Sequence, residues 1–141
     1  CHALIPSLKR NAPSEIINVA SVAAFVPGPY MAQYYATKAY VLSFSLALRE
    51  ELKKDGISVS VLCPGPTKTE FFDVANRQEA NPSVKLMMME SEPVVQASID
   101  GADKAIIVPG FSNKLMVVLL RFVSRVQAAK LVARIQKVKT N

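Results

Sequence analysis

The chain has 141 residues, half of them apolar, which is enough for one domain with a real core and excludes a disordered polar chain. Its formal charge is +6, but residues 1–110 carry 10 basic and 11 acidic side chains, whereas residues 111–141 carry seven basic and none acidic. Two distant cysteines, Cys1 and Cys63, and a lone terminal His2 exclude a disulfide framework and a Cys/His metal site, and suit a reducing, cytoplasmic setting.

The chain starts at Cys1 with no signal-peptide pattern, and so abrupt a start predicts a piece of a longer protein. SEIINVAS (14–21) turns from polar to apolar at Ile16, Ile17, Val19 and Ala20, which predicts a short buried strand. VPGPY (26–30) is a proline-glycine loop. From 34 to 54 apolar residues recur at three- and four-residue steps: Ala36, Ala39, Tyr40, Phe44, Leu48 and Leu52. This predicts a helix ended by Gly56. No charge falls between 39 and 48, so the helix should be covered on two sides, by the sheet and by another subunit.

ISVSVLCPG (57–65) predicts a second strand ending in Pro-Gly. Residues 66–90 have no sustained period and read as a functional lid or binding loop. Met87, Met88 and Met89 in it read as lid or core packing rather than a metal site, and Phe71 and Phe72 as packing, with substrate contact as the alternative. Ser91, Glu92 and Pro93 open a helix that should run to about Ala102. KAIIVPG (104–110) predicts a third strand.

In the tail, Lys114, Arg121 and Arg125 fall on one face, and Lys130, Arg134 and Lys137 on the opposite one. That switch predicts two helices, 113–125 and 127–138, with a break near Ser124–Gln127. Such a tail suits a membrane surface, nucleic acid or an acidic partner, with a solvated helix face as the favoured reading. Nucleic acid is not expected as a partner, and peripheral membrane contact is kept open. The uncharged run 115–120 is far too short to span a bilayer. Two regions are expected: 1–110, and a basic amphipathic helical extension, 111–141.

Strand–helix–strand–helix–strand order predicts an α/β fold on a parallel sheet with its three strands side by side in chain order. Ligands collect at the carboxyl ends of such strands. Ser21 ends the first strand, and Pro64, Gly65 and Thr67 end the second. Tyr34 and Lys38 lie at the start of the helix between them and, at i and i+4, share a face. Tyr35 is turned away by roughly 100°.

A phenol beside an amine suits proton transfer. Bringing a tyrosine from a pKa of about 10 to near 7 takes roughly 4 kcal/mol. An ammonium about 4 Å away supplies that at an effective dielectric of about 20, but only about 1 kcal/mol in water. The pair therefore needs a partly dry site. A nearby serine hydroxyl can hold a substrate oxygen.

NVAS, then thirteen residues from Ser21 to Tyr34, then YYATK read as Tyr-x-x-x-Lys, then a strand ending PGPTKTEF, resembles the second half of a short-chain dehydrogenase/reductase of the classical type, from about residue 3 to 110. The resemblance implies a partial Rossmann-like doubly wound sheet and an NAD(P)-dependent oxidoreductase. Hydride would pass between NADP(H) or NAD(H) and a small-molecule carbonyl or secondary alcohol. It implies Tyr34 as general acid/base, Lys38 favouring the phenolate and binding the nicotinamide ribose, and Ser21 positioning the substrate oxygen. It assigns Pro64, Gly65, Thr67 and Thr69 to the nicotinamide and phosphate side, loop 66–90 to a substrate lid, and helix 34–54 to a homo-oligomer interface. It places the Gly-rich phosphate turn, the residue choosing NAD or NADP and a fourth catalytic residue, an asparagine, ahead of Cys1. The competing expectation is a catalytically inactive, truncated interaction or dimerisation module with a membrane-binding tail.

Overall fold

A computed structural model of the chain describes residues 2–68 and 88–136. Thr69, Phe71, Phe72, Met87, Lys137 and Lys139 lie outside the described residues. Three parallel strands, β1 (Ser14–Val19), β2 (Ile57–Leu62) and β3 (Ile106–Ile107), lie in the order β1-β2-β3. Ser14 sits opposite Ile57 and Val19 opposite Leu62, while Val61 and Leu62 sit opposite Ile106 and Ile107. The strands are shorter than predicted. Ala20 and Cys63 still donate ladder-like bonds, to Leu62 and Ile107, but Ser21 and Pro64 have already left the sheet.

Helix α1 (Ile5–Arg10) precedes β1, and α2 (Ala32–Leu52) returns the chain to β2. A 3-10 turn (Lys53–Asp55) extends α2 to Gly56, whose φ of 70° gives the left-handed stop expected of glycine. Helix α3 (Ser91–Asp100) precedes β3, and α4 (Phe111–Leu120) and α5 (Arg125–Gln136) follow it.

Strand β2 is the centre of the core. Ile57 and Val59 pack with Leu48 and Leu52 of α2, and against Ile5, Leu8 and Ile16. Val61 and Cys63 pack with Ala20 and Ala24, against Val41 and Leu42 of α2. On the other face Leu62 meets Val94 of α3, Ile107 and Met89. Met89 is thus core packing. Ser58 and Ser60 on this face donate to the Ala102 carbonyl.

Arg49 of α2 closes the far end of the sheet. Its guanidinium donates to the Val59 and Asp103 carbonyls at 2.6 Å each. Asn18 of β1 donates to Ser45 of α2 at 3.0 Å. Strand β1 is otherwise half open: Glu15, Ile17 and Val19 are exposed, and β1 is the edge of the described sheet.

The tail holds two helices, but the break lies at Arg121–Ser124, earlier than the spacing suggested. Gln127 belongs to α5. The Ser124 hydroxyl accepts from the Gln127 amide, and the Gln127 side chain accepts from the Ser124 amide, a reciprocal cap that fixes where α5 begins.

Candidate active site

Ser21, Pro64 and the start of α2 come together at the carboxyl edge of the sheet. Leaving β1, the chain enters a 3-10 turn, Val22–Phe25, capped by Ser21, whose Oγ accepts from the Ala23 amide at 3.1 Å. The same hydroxyl donates to the Pro64 carbonyl at 3.4 Å, and the Val22 amide bonds that carbonyl at 2.9 Å. The ends of β1 and β2 are thus tied by two bonds to one oxygen, and Ser21 is buried.

Tyr34 lies in the first turn of α2, where unpaired amides concentrate positive potential. The Lys38 ammonium sits 5.8 Å from the centre of the Tyr34 ring and donates to the Val19 carbonyl at 3.1 Å. Lys38 therefore joins α2 to the carboxyl end of β1, two residues before Ser21. Cys63 marks the same spot from β2. Burial pushes its thiol up to about 11, against smaller opposing effects of a Ser21 backbone hydrogen bond and the Lys38 charge.

Tyr35 serves a different face. Its ring lies over Gly28, where an added Cβ would fall within 2.4 Å of three ring carbons. Its hydroxyl accepts from the Gln136 side-chain amide, so it joins α2 to α5. Tyr30 and Tyr40 are largely exposed. Tyr30 holds a positive φ of 67° just ahead of α2.

Pro64, Gly65 and Thr67 lie beyond β2. Thr67 donates to the Gly65 carbonyl at 3.0 Å and forms a bridge with Met89. Lys68 and Met89 exchange further backbone bonds with Met89 and Pro66, and Lys68 pairs with Glu90. The two ends of segment 66–90 are therefore fastened together beside the site. Thr69, expected with Thr67, lies outside the described residues, as does most of the expected lid.

Sequence reading missed Asn113. It is 1% exposed, and its Nδ2 donates to the Pro109 carbonyl at 2.8 Å. Its amide lies against Gly65: a Cβ there would come within 2.5–2.7 Å of three of its atoms. Its Oδ1 is buried with no hydrogen-bond partner among the described residues. The only hint in the sequence is an asparagine among apolar tail residues, which resembles any polar helix position.

Among the described residues, surface concavities lie elsewhere, and the two described next do not contain Ser21, Tyr34 or Lys38. One of about 260 Å³ touches Arg49 and Gly56 at the opposite end of the sheet. The other, of about 420 Å³, lies between Phe25, Pro27, Tyr35 and Arg125. No cluster among the described residues has the makings of a metal site.

A family profile described as short chain dehydrogenase matches residues 1–80. The 17-beta-hydroxysteroid dehydrogenase 13 of Rattus norvegicus is 35% identical over 143 residues, covering 96% of this chain and 45% of that protein. A short chain dehydrogenase from Burkholderia cenocepacia J2315, solved in complex with NADP, superposes with a TM-score of 0.73 at 27% identity, covering 97% of this chain and 53% of that one. One from Sphingobium yanoikuyae, solved with NADPH, gives 0.68 at 28% identity, covering 92% and 54%. The chain thus spans about half the length of these relatives. With the profile match over more than half its residues and the parallel sheet they share, the chain belongs to the short-chain dehydrogenase family.

Proposed function

We propose that this chain carries the proton-transfer half of an NAD(P)-dependent oxidoreductase acting on a carbonyl or secondary alcohol. The observation that carries the reading is Lys38: one side chain spans the Tyr34 ring and the Val19 carbonyl, beside Ser21. Among the described residues, Val19 takes one of the three ammonium donors, which leaves N–H groups for a ribose hydroxyl. The Ser21–Pro64 bond is near the upper limit of length, so the hydroxyl proton turns to a substrate oxygen at little cost.

The residues present fit a nicotinamide dinucleotide: an ammonium, a strand-end turn at Pro64-Gly65 and the Thr67 hydroxyl lie along one rim. When bound, that cofactor supplies or takes the hydride. The chain's own residues do the rest. Tyr34 gives or takes the proton at its phenolic oxygen, Lys38 holds its ammonium beside the Tyr34 ring, and Ser21 holds the substrate oxygen in line.

The experiment is Tyr34→Phe in the whole protein. Turnover should fall by about 10²–10⁴-fold, the range for loss of a general acid, while cofactor affinity changes little. Turnover within a few-fold of the parent would overturn the assignment.

A second reading, a dimerising module without turnover, draws on α2. Tyr40 is 67% exposed and stacks on Phe44, their ring centres 5.8 Å apart, on a face free of charge. A homo-oligomer built there is compatible with the redox reading. Cofactor titration of the 141-residue chain separates the two: saturable binding supports the enzyme half, and its absence in a folded dimer supports the module.

A further inference from the structure

We infer that the segment spanning α4 and α5 is a docking surface for an anionic lipid bilayer. Helix α4 has two apolar faces. One carries Asn113 and Val117 into the protein, where both are buried. The other, Phe111, Leu115, Val118, Leu119 and then Phe122, follows i, i+4, i+7, i+8 and i+11 and faces outward. All five are exposed, Phe111 at 81% and Phe122 at 84%. A helix packed by one stripe needs no second apolar stripe to fold.

The stripe continues into the turn. Phe122 and Val123 stand exposed between Arg121 and Arg125, and Val126 is exposed just after them. On α5, Leu131 and Ile135 are exposed one turn apart, with Lys130 and Arg134 beside them. Asp103 is the last acidic residue in the sequence, so no acidic side chain of α4 or α5 neutralises these cations. No helix among the described residues is long and apolar enough to cross a membrane.

Exposed aromatic and branched side chains rimmed by Lys and Arg, with no acid among them, match the charge and polarity of an anionic bilayer interface. An acidic protein would meet the cations but not so continuous an apolar stripe. A second copy of the chain would bring an equally cationic surface. The bilayer is therefore the occupant, with Phe111, Leu115 and Phe122 entering the headgroup–acyl boundary and Lys114, Arg121 and Arg125 at the headgroups. The inference is independent of the redox reading, since Tyr34 and Lys38 take no part in it.

The sequence contains no tryptophan, so Phe122→Trp installs a single reporter at an exposed site. With mixed phosphatidylcholine–phosphatidylglycerol vesicles its emission should shift to the blue and be quenched by brominated acyl chains. Pure phosphatidylcholine should give a much weaker response. In co-sedimentation of the chain without the tryptophan, Lys114→Gln and Arg121→Gln should each weaken partition about fivefold, the effect of one cation near a charged surface. Phe111→Glu with Leu115→Glu should abolish it. No sedimentation with anionic vesicles would overturn the inference. So would sedimentation indifferent to all four substitutions, or loss of a solution dimer on Phe111→Glu with Leu115→Glu, which would assign the stripe to a second copy.

Discussion

Asn113 of α4 occupies the space that a side chain on Gly65 would need: a Cβ at Gly65 would lie 2.5 Å from its Nδ2. The turn at the end of β2 is therefore shaped from behind by the tail. Gly65 is glycine because a buried amide, held to the Pro109 carbonyl, presses against its backbone.

Gly65→Ala should accordingly destabilise the fold by about 1–3 kcal/mol, the usual cost of overpacking. Asn113→Ala in the same chain should return part of that loss, because the clash partner is gone. Chemical unfolding of the four members of the cycle measures both effects. Strict additivity would show that the two residues do not press on each other.

Arg49→Ala should cost about 2–4 kcal/mol, since it removes two charge-assisted bonds to the carbonyls of Val59 and Asp103. Arg49→Lys should recover little, because an ammonium cannot reach two carbonyls with a planar fork. Thermal unfolding decides it. A lysine variant as stable as the parent would mean that only the charge matters.

Stability should fall at alkaline pH through Cys63. Its thiol rises from 9.0 to about 11 in the folded chain because burial disfavours the thiolate. Below pH 9 both states hold the proton and the contribution is intact. Above it the unfolded chain ionises first, so the unfolded state binds fewer protons and stability declines until pH passes about 11. A shift of that size corresponds to about 2–3 kcal/mol. Cys63→Ala should flatten the pH dependence of unfolding between those limits, and an unchanged slope would assign it to other groups.

Lys38→Met should push the Cys63 thiol further up, because the lysine charge is one of the effects holding it down. Thiolate absorbance or alkylation rate against pH reads the shift directly. An unmoved thiol would mean that the Lys38 ammonium is not directed at this rim.

The long helix, its Gly56 stop and the central strand were legible because local signals agree there: a helical period, a left-handed glycine and a run of branched residues. The proximity of Tyr34 to Lys38 was legible for the same reason, since helix geometry alone sets an i, i+4 pair. The break in the tail was misplaced by a few residues. Charge faces mark where a helix changes direction only coarsely, whereas the reciprocal cap of Ser124 and Gln127 marks it sharply. Asn113 was not legible at all, because a polar residue in a helix shows its partner only when the fold supplies one 48 positions away.

The sequence by itself determined the periodic elements, their parallel order, the neutral body with its cationic tail and the shared face of Tyr34 and Lys38. These follow from short-range geometry and from counting charges. Only the tertiary structure decided that Lys38 reaches the Val19 carbonyl, that Ser21 and Val22 share the Pro64 oxygen, and that Asn113 supports Gly65 while the far side of α4 stays open. Those relations join residues far apart in the chain, and packing, which no local pattern records, is what brings them together.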